Sequence, residues 1–429
     1  MTKKFSRETR VFIVLLICVA VIELVCAGLF WGKFDLLTYN FPWSQVVVKN
    51  WAGMYRPRFQ NAYLVNYPPL IPTLLWPFGK LIHHFGVALV GQSPLRTTLA
   101  FLLIKLLPLI FHWLTAIFVY WKSSDKLHGL WLSVLILVNP AIWFNAAFWG
   151  QMDSVLVFLI VISFYYLQQR QYLVATLWFS VGCLAKLQFI YLVPIFGLVL
   201  LTQLPRRLIL GYVSLVIGVN IVSWLPFMIN MHSVLLPFKV ILGGANQYDG
   251  IVVNAFNFWS AALKARVWYK QLLITDHILG PVTYNMVGQA ILVLIILGLI
   301  GLFWGMWRHR LPEIPLSVIG LIYTGAIFFF TMGQHERYQI PMLAFELLWL
   351  MSNRESMRLQ SIKWAWFAGL TSMIFINEAF LYFAMYVNMN LVLCYRLIRL
   401  GGIINTLVFI GLLASLICQY RRPNQNGTD

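Results

Sequence analysis

The sequence is poor in charge, and poorest in acids. Charged residues fill 10% of its 429 positions, whereas a soluble domain carries about a quarter. This excludes a water-facing globular surface. Only 13 residues are Asp or Glu, so a general base or a carboxylate metal ligand can be sought by elimination. The five cysteines, Cys18, Cys26, Cys183, Cys394 and Cys418, lie mostly in apolar segments with no CxxC spacing. A disulfide framework and a thiolate metal site are thereby excluded. The segment "HERY" at 335 lacks the spacing of HExxH, so a zinc hydrolase is not supported. Lys and Arg give a net charge of +18 but are spread over many short loops, and nucleic acid is not an expected partner. The last six apolar runs do not repeat the first six, although internal symmetry is common in transporters.

What the chain has in abundance is apolar sequence, 61% of it. Runs of roughly 17 to 24 residues recur, each able to cross a hydrocarbon core of about 30 Å. The first, "VFIVLLICVAVIELVCAGLFW", is longer than a signal-peptide core and is read as a retained anchor helix. The stretch "YPPLIPTLLWPFGKLIHH" at 67 contains Pro68, Pro69, Pro72 and Pro77. Proline strains a helix interior, and lipid leaves backbone groups no water to bond, so this piece is expected to be interfacial or re-entrant. The predicted fold class is therefore all-α, with twelve spans at 11–31, 98–121, 128–147, 153–168, 171–185, 188–203, 208–229, 286–306, 314–331, 338–352, 364–386 and 400–420. They form a single integral membrane domain, 1–429, with long outer loops at 32–97 and 230–285.

Basic clusters such as "MTKKFSRETR", "WKSSDK", "LPRR", "WRHR" and "QYRR" then fall at every second helix end. Positive residues accumulate on the cytoplasmic side, so both termini are expected there. On this topology the polar segments converge on the outer face: Asp35 with "NYPPL", "FWGQMDS" at 148, "AKLQF" at 185, "ANQYDGIVVNAFNFWSA" at 245 and "GQHERYQ" at 333. Such convergence suggests one extracytoplasmic site.

Elimination then narrows the acids. Glu8, Asp125, Glu313 and Glu355 fall in cytoplasmic segments and Asp429 is terminal. Glu23 and Glu346 lie mid-span and are read as neutralised or paired with a neighbouring helix, Asp249 and Asp276 as solvated. Glu378 is a further intramembrane acid, a functional hypothesis by default. Asp35 is followed by Tyr39, Asn40 and Trp43, polar and aromatic groups suited to a sugar. In "GQHERYQ", Arg337 can clamp a phosphate and His335 can add a hydrogen bond or a proton; the alternative is a pairing of Arg337 with Glu336. Lys105, Lys186 and Gln188 are either snorkelling and capping groups or, for the lysines, contacts to an anionic head group.

The order of these segments, an acid soon after the first span, "YPPL", "IKLLP", "FWGQMDS", "KLQ", "NAFNFW" and "HERY", resembles the GT-C glycosyltransferases. More closely it is similar to bacterial relatives of the second mannosyltransferase of GPI-anchor synthesis and of the dolichyl-phosphate-glucose-dependent glucosyltransferases. The resemblance covers nearly the whole chain. It implies transfer of a hexose from a polyprenyl-phosphate-sugar donor to a glycan, lipid or cell-wall polymer at the outer face of a bacterial plasma membrane, with inversion. It also places the family's carboxylate at Asp35. Two departures stand out: Pro42 interrupts what is often helix, and His112 lies where relatives often carry an acid.

Glycosyl transfer passes through an oxocarbenium-like centre, with a carboxylate removing the acceptor proton and positive charge meeting the departing phosphate. Asp35 is thus the expected general base; His335, Arg337, Lys105 and Lys186 are the expected phosphate contacts. Tyr39, Trp149, Gln151, Asp153, Asn254 and Asn257 are the candidate substrate-binding residues. Asp153 orients substrate in this reading, with a helix cap or the base itself as alternatives. No cofactor is expected, and a divalent metal is not required. A transporter or lipid flippase, or a polysaccharide polymerase or ligase, is the competing class.

Overall fold

The structure is a computed structural model that describes residues 6–32, 35–56, 64–86, 94–245, 249–263, 272–352 and 357–421. Glu355 and Asp429 lie outside the described residues. Of the described residues, 77% are helical. Two compact units are formed, one from Met1–Val193 with Pro205–Gln247, the other from Pro194–Leu204 with Tyr248–Asp429.

The first unit opens with α1 (Arg7–Leu29), capped by the Ser6 hydroxyl on the Thr9 amide at 3.2 Å. A π-helical turn, Leu36–Asn40, runs directly into α2 (Phe41–Lys49). Pro42 does not break this segment, because it lies in the first turn of α2, where a missing N–H costs little. The proline-rich stretch forms two short helices, α3 (Leu70–Leu74) and α4 (Trp76–His84). Pro72 and Pro77 again occupy first turns, and Ile71, Leu75, Gly79 and Ile82 are buried on one side while Trp76 and Leu81 are exposed.

Next come α5 (Pro94–Lys122) and α6 (Lys126–Leu137), the latter capped by Asp125. After Asn139, whose side chain accepts from the Ala141 and Ile142 amides, α7 (Pro140–Trp143) starts a new direction. Together with a second π-helical turn, Phe144–Trp149, it makes a 44° bend with α6. Pro140 lacks the donor that would continue α6, and Asn139 supplies the cap that restarts the helix. Then follow α8 (Asp153–Gln168), α9 (Tyr172–Cys183) and α10 (Leu187–Ile190). After α11 (Val193–Gln203), nearly all of which belongs to the second unit, α12 (Arg206–Asn230) and α13 (Leu236–Ala245) complete the first.

In the second unit, β1 (Val252–Val253) precedes α14 (Phe258–Ala262), a small hairpin of β2 (His277–Leu279) and β3 (Val282–Thr283), and α15 (Tyr284–Trp307). Beyond them are α16 (Leu316–Phe330), β4 (Gln334–His335), α17 (Ile340–Leu350), α18 (Met357–Tyr386) and α19 (Leu391–Arg421). β1 and β4 pair in parallel with Val252 opposite Gln334 and Val253 opposite His335.

Each expected span falls on helix, but the lengths differ. Six helices among the described residues are long and apolar enough to cross a membrane, and the bent α6–α7 segment makes up to seven. Five others are shorter apolar helices of 10–17 residues; at 1.5 Å per residue these reach about 15–25 Å. Burial sorts them. α8 is buried almost all round, whereas α12 exposes Leu210, Ile217, Ile221, Val222 and Ile229. An apolar helix whose surface is open and greasy needs lipid rather than water around it. The chain is an all-α membrane-embedded protein.

Candidate functional site

In the first unit the residues singled out by sequence come together around the corner between α7 and α8. The π-helical turn ends at Gly150, whose φ of 77° is left-handed, a conformation that suits glycine. Space demands it too, since a Cβ there would lie 2.7 Å from Leu36 Cδ1 and 3.1 Å from Lys105 Cγ. Gly32 lies so close to the Trp149 carbonyl that a Cβ would overlap it. The corner is thereby pressed against the segment that carries Asp35. Two hydrogen bonds seal the contact: Trp149 Nε1 donates to Asp35 Oδ2 at 3.0 Å, and Asn40 Nδ2 donates to the Gly150 carbonyl at 3.0 Å. A hydrogen bond to a charged group contributes about 1.5–3 kcal/mol, so the indole fixes the direction of the Asp35 carboxylate.

Asp153 is the first residue of α8, but the cap position is Met152 and carries no side-chain cap. Asp153 is thus an acid of the first turn and not the N-cap residue. Instead Asp153 Oδ1 takes the ammonium of Lys186, and its Oδ2 accepts from Asn145 Nδ2 at 3.3 Å. Both members of the ion pair are at most 2% exposed. Lys186 Nζ also lies 5.5 Å from the centre of the Tyr67 ring, Tyr67 packs edge-on against Trp43 at 5.0 Å, and Trp43 against Tyr39 at 5.6 Å. These contacts form a chain from Tyr39 through Trp43, Tyr67 and Lys186 to Asp153, in the same unit as the Trp149–Asp35 hydrogen bond. Gln151 and Gln188 flank this chain of contacts, buried, with their Nε2 atoms without a protein acceptor.

Lys105 does not behave as a phosphate contact. Its ammonium, fully buried, donates to four carbonyls: Phe30 at 2.6 Å, Ala147 and Phe148 at 2.8 Å each, and Ala27 at 3.3 Å. Three protons shared among four acceptors leave no donor for an anion. Nor is Lys186 a bare cation, since Asp153 neutralises it. Glu23 is paired as expected of a mid-span acid: His112 Nδ1 lies 2.8 Å from one oxygen and Trp113 Nε1 donates to the other at 2.5 Å. His112 thus faces an acid supplied by α1.

The second unit gathers its own polar cluster. Strand pairing and a backbone bridge between Asn254 and His335 bring "IVVNAFNFW" beside "GQHERY". Glu336 binds Arg337 Nη1 at 2.5 Å and lies 3.7 Å from His335 Nδ1. Burial alone would raise this carboxyl, but the Arg337 guanidinium, with help from His335, holds it at about 2. The pairing of Arg337 with Glu336, weighed from sequence as the alternative to a phosphate clamp, is present. Asn257 is not placed to bind substrate: Oδ1 caps the Ser260 amide at 3.1 Å, and Nδ2 donates to the Phe328 carbonyl at 3.2 Å. Asn254 has a left-handed φ of 63°, and its carbonyl accepts from Asn377 Nδ2 at 2.8 Å.

Three residues that sequence reading passed over hold these clusters, Asn145, Asn377 and Asn405, and Tyr67, read there only as part of "NYPPL", joins them. Asn405 Nδ2 donates to the Phe256 carbonyl at 2.7 Å and to Gln339 Oε1 at 2.9 Å. The signal for Asn377 and Asn405 was a lone amide inside an apolar run, an expensive residue to leave unbonded in lipid. A scan against known protein families finds no model that matches this chain, and a search of curated proteins finds no similar sequence.

Proposed function

We propose that this protein is a GT-C-like membrane glycosyltransferase that moves a hexose, glucose or mannose, from a polyprenyl-phosphate donor to an extracytoplasmic glycan, lipid or cell-wall polymer. The observation that carries the reading is the Trp149 indole on the Asp35 carboxylate, in the unit that also holds the Tyr39, Trp43, Tyr67, Lys186 and Asp153 chain of aromatic and charged side chains. An oriented carboxylate can take a proton, and aromatic side chains in the same unit suit a sugar ring. Asp35 is the proposed base, taking the acceptor hydroxyl proton as attack on the anomeric carbon begins. Tyr39, Trp149 and Gln151 are proposed to bind substrate, with Asp153 holding Lys186 toward the departing phosphate. Arg337 and His335 stay as proposed donor-phosphate contacts on their own chemistry, which the resemblance also points to. The five short helices are counted as crossings in this reading, giving twelve spans with both termini cytoplasmic in a bacterial plasma membrane. Side-chain cations take the place of a divalent ion, so transfer should persist in excess EDTA.

The test uses purified protein with polyprenyl-phosphate-[14C]glucose or -[14C]mannose in vesicles. Label moves to an acceptor with the wild-type chain; Asp35→Asn abolishes this while donor cross-linking survives. Retained turnover in Asp35→Asn would sink the base assignment. Label that crosses the bilayer without transfer replaces the enzyme by a flippase.

A further inference from the structure

We infer that Lys105 is a positioning residue, which sets the Asp35–Trp149 geometry by tying together the two segments that carry this pair. The inference rests on the proposed role of Asp35. A lysine in the middle of a long apolar helix is costly, and its position in α5 gives it no water. Its four partners are all carbonyl oxygens, and they come from two places. Ala27 and Phe30 lie at the carboxyl end of α1, Ala147 and Phe148 in the π-helical turn. The last carbonyls of a helix lack intrahelical partners and carry the negative end of its dipole, so one ammonium satisfies both ends at once.

What these ends carry is the point. Asp35 follows Phe30 by five positions, and Trp149 is the next residue after Phe148. The stem of Lys105 and the Leu36 side chain also press on the same glycine, Gly150, from which a Cβ would lie 3.1 and 2.7 Å away respectively. Phe30 and Phe148 stack at 4.2 Å beside the clamp. Lys105 therefore fixes the two backbones whose side chains meet in the indole–carboxylate hydrogen bond. A head-group contact would require Lys105 to give up these carbonyls, each buried acceptor then costing about 1–3 kcal/mol.

The test is a double-mutant cycle on transfer of [14C]hexose from the polyprenyl-phosphate donor, with folding checked by gel filtration. Lys105→Met is expected to lower kcat by about 100-fold with little change in KM, the loss that a displacement of about 1 Å produces, and Trp149→Phe, which also removes a substrate contact, to lower kcat by a similar factor. If Lys105 acts through the Trp149–Asp35 bond, the double variant loses no more than the worse single variant. Losses that multiply, or a raised KM with unchanged kcat in Lys105→Met, overturn the inference. Should Lys105→Met not fold, Lys105→Gln, which keeps two donors, enters the same cycle. A wild-type chain with no transfer defeats the proposed enzyme and leaves the clamp to a second measurement. Spin labels on cysteines introduced at the exposed Leu37 and Trp131, with the native cysteines replaced by alanine, report the distance between the Asp35 segment and α6. A distribution broadened by Lys105→Met supports the clamp; an unchanged one overturns it.

Discussion

Replacing Lys186 by Met exposes how strongly the ion pair in the first unit is bound into the fold. Both side chains are at most 2% exposed, so removal of the ammonium leaves a carboxylate in a place without water. Asn145 donates to it at 3.3 Å, and a neutral amide does not replace a cation. Breaking a buried pair from one side costs about 3–5 kcal/mol. Asp153→Leu is expected to cost as much, since the ammonium is left beside the Tyr67 ring at 5.5 Å, a contact that contributes about 0.5–2 kcal/mol. Removing both charges together, Asp153→Leu with Lys186→Met, should bring stability back to within about 1 kcal/mol of wild type, because no charge then needs desolvation. Unfolding of a detergent-solubilised membrane protein is best read as a rate. If the whole loss appears in that rate, the single variants inactivate faster by about a hundred- to several-thousand-fold. The double variant does not. Losses that add in the double variant, or single losses below about 1 kcal/mol, would refute the argument that the two side chains stabilise the fold only as a pair.

The second unit should lose stability in acid through Glu336. Its folded value of about 2 lies below the ordinary 4.5, so its contribution, about 3 kcal/mol at one pKa unit per 1.36 kcal/mol, is complete above pH 4.5 and is lost as pH falls toward 2. Unfolding followed from pH 6 to 3 should therefore slope in the wild type and slope less in Glu336→Gln; equal slopes would contradict it. Gly150→Ala should reduce transfer by at least about tenfold and lower thermal stability by about 1–3 kcal/mol, from the left-handed backbone and the contacts at 2.7 and 3.1 Å. Transfer rates and a melting curve on the same preparation check both.

Helix positions were legible because apolar runs and their prolines report directly on backbone chemistry. The start of α8 at Asp153 and the broken proline-rich stretch are cases in point. Length was less so. A run such as 188–203 reads as one span, yet a turn at Tyr191–Leu192 divides it between α10 and α11. The site was legible as a set of segments and illegible as a set of contacts. Lys105 and Lys186 look alike in sequence, two lysines near apolar helices. One meets carbonyl oxygens and the other an acid, and that difference is made by residues more than 30 positions away. Asn257 reads as a candidate substrate-binding residue in "NAFNFW", but a serine three positions on turns it into a helix cap.

The side-chain cluster of the first unit also has a history in time. Its members span residues 35 to 186, and the amide of Leu70 bonds the carbonyl of Leu184 at 2.9 Å, beside Lys186. A chain that emerges from the ribosome at about 5–20 residues per second makes Asp35 roughly 8–30 s before Lys186. During that interval α1 and the first loop are already synthesised without the partners that order them. The site is thus assembled late, and a chain arrested between residues 153 and 186 holds the carboxylates and the indole but not the cation that pairs with Asp153.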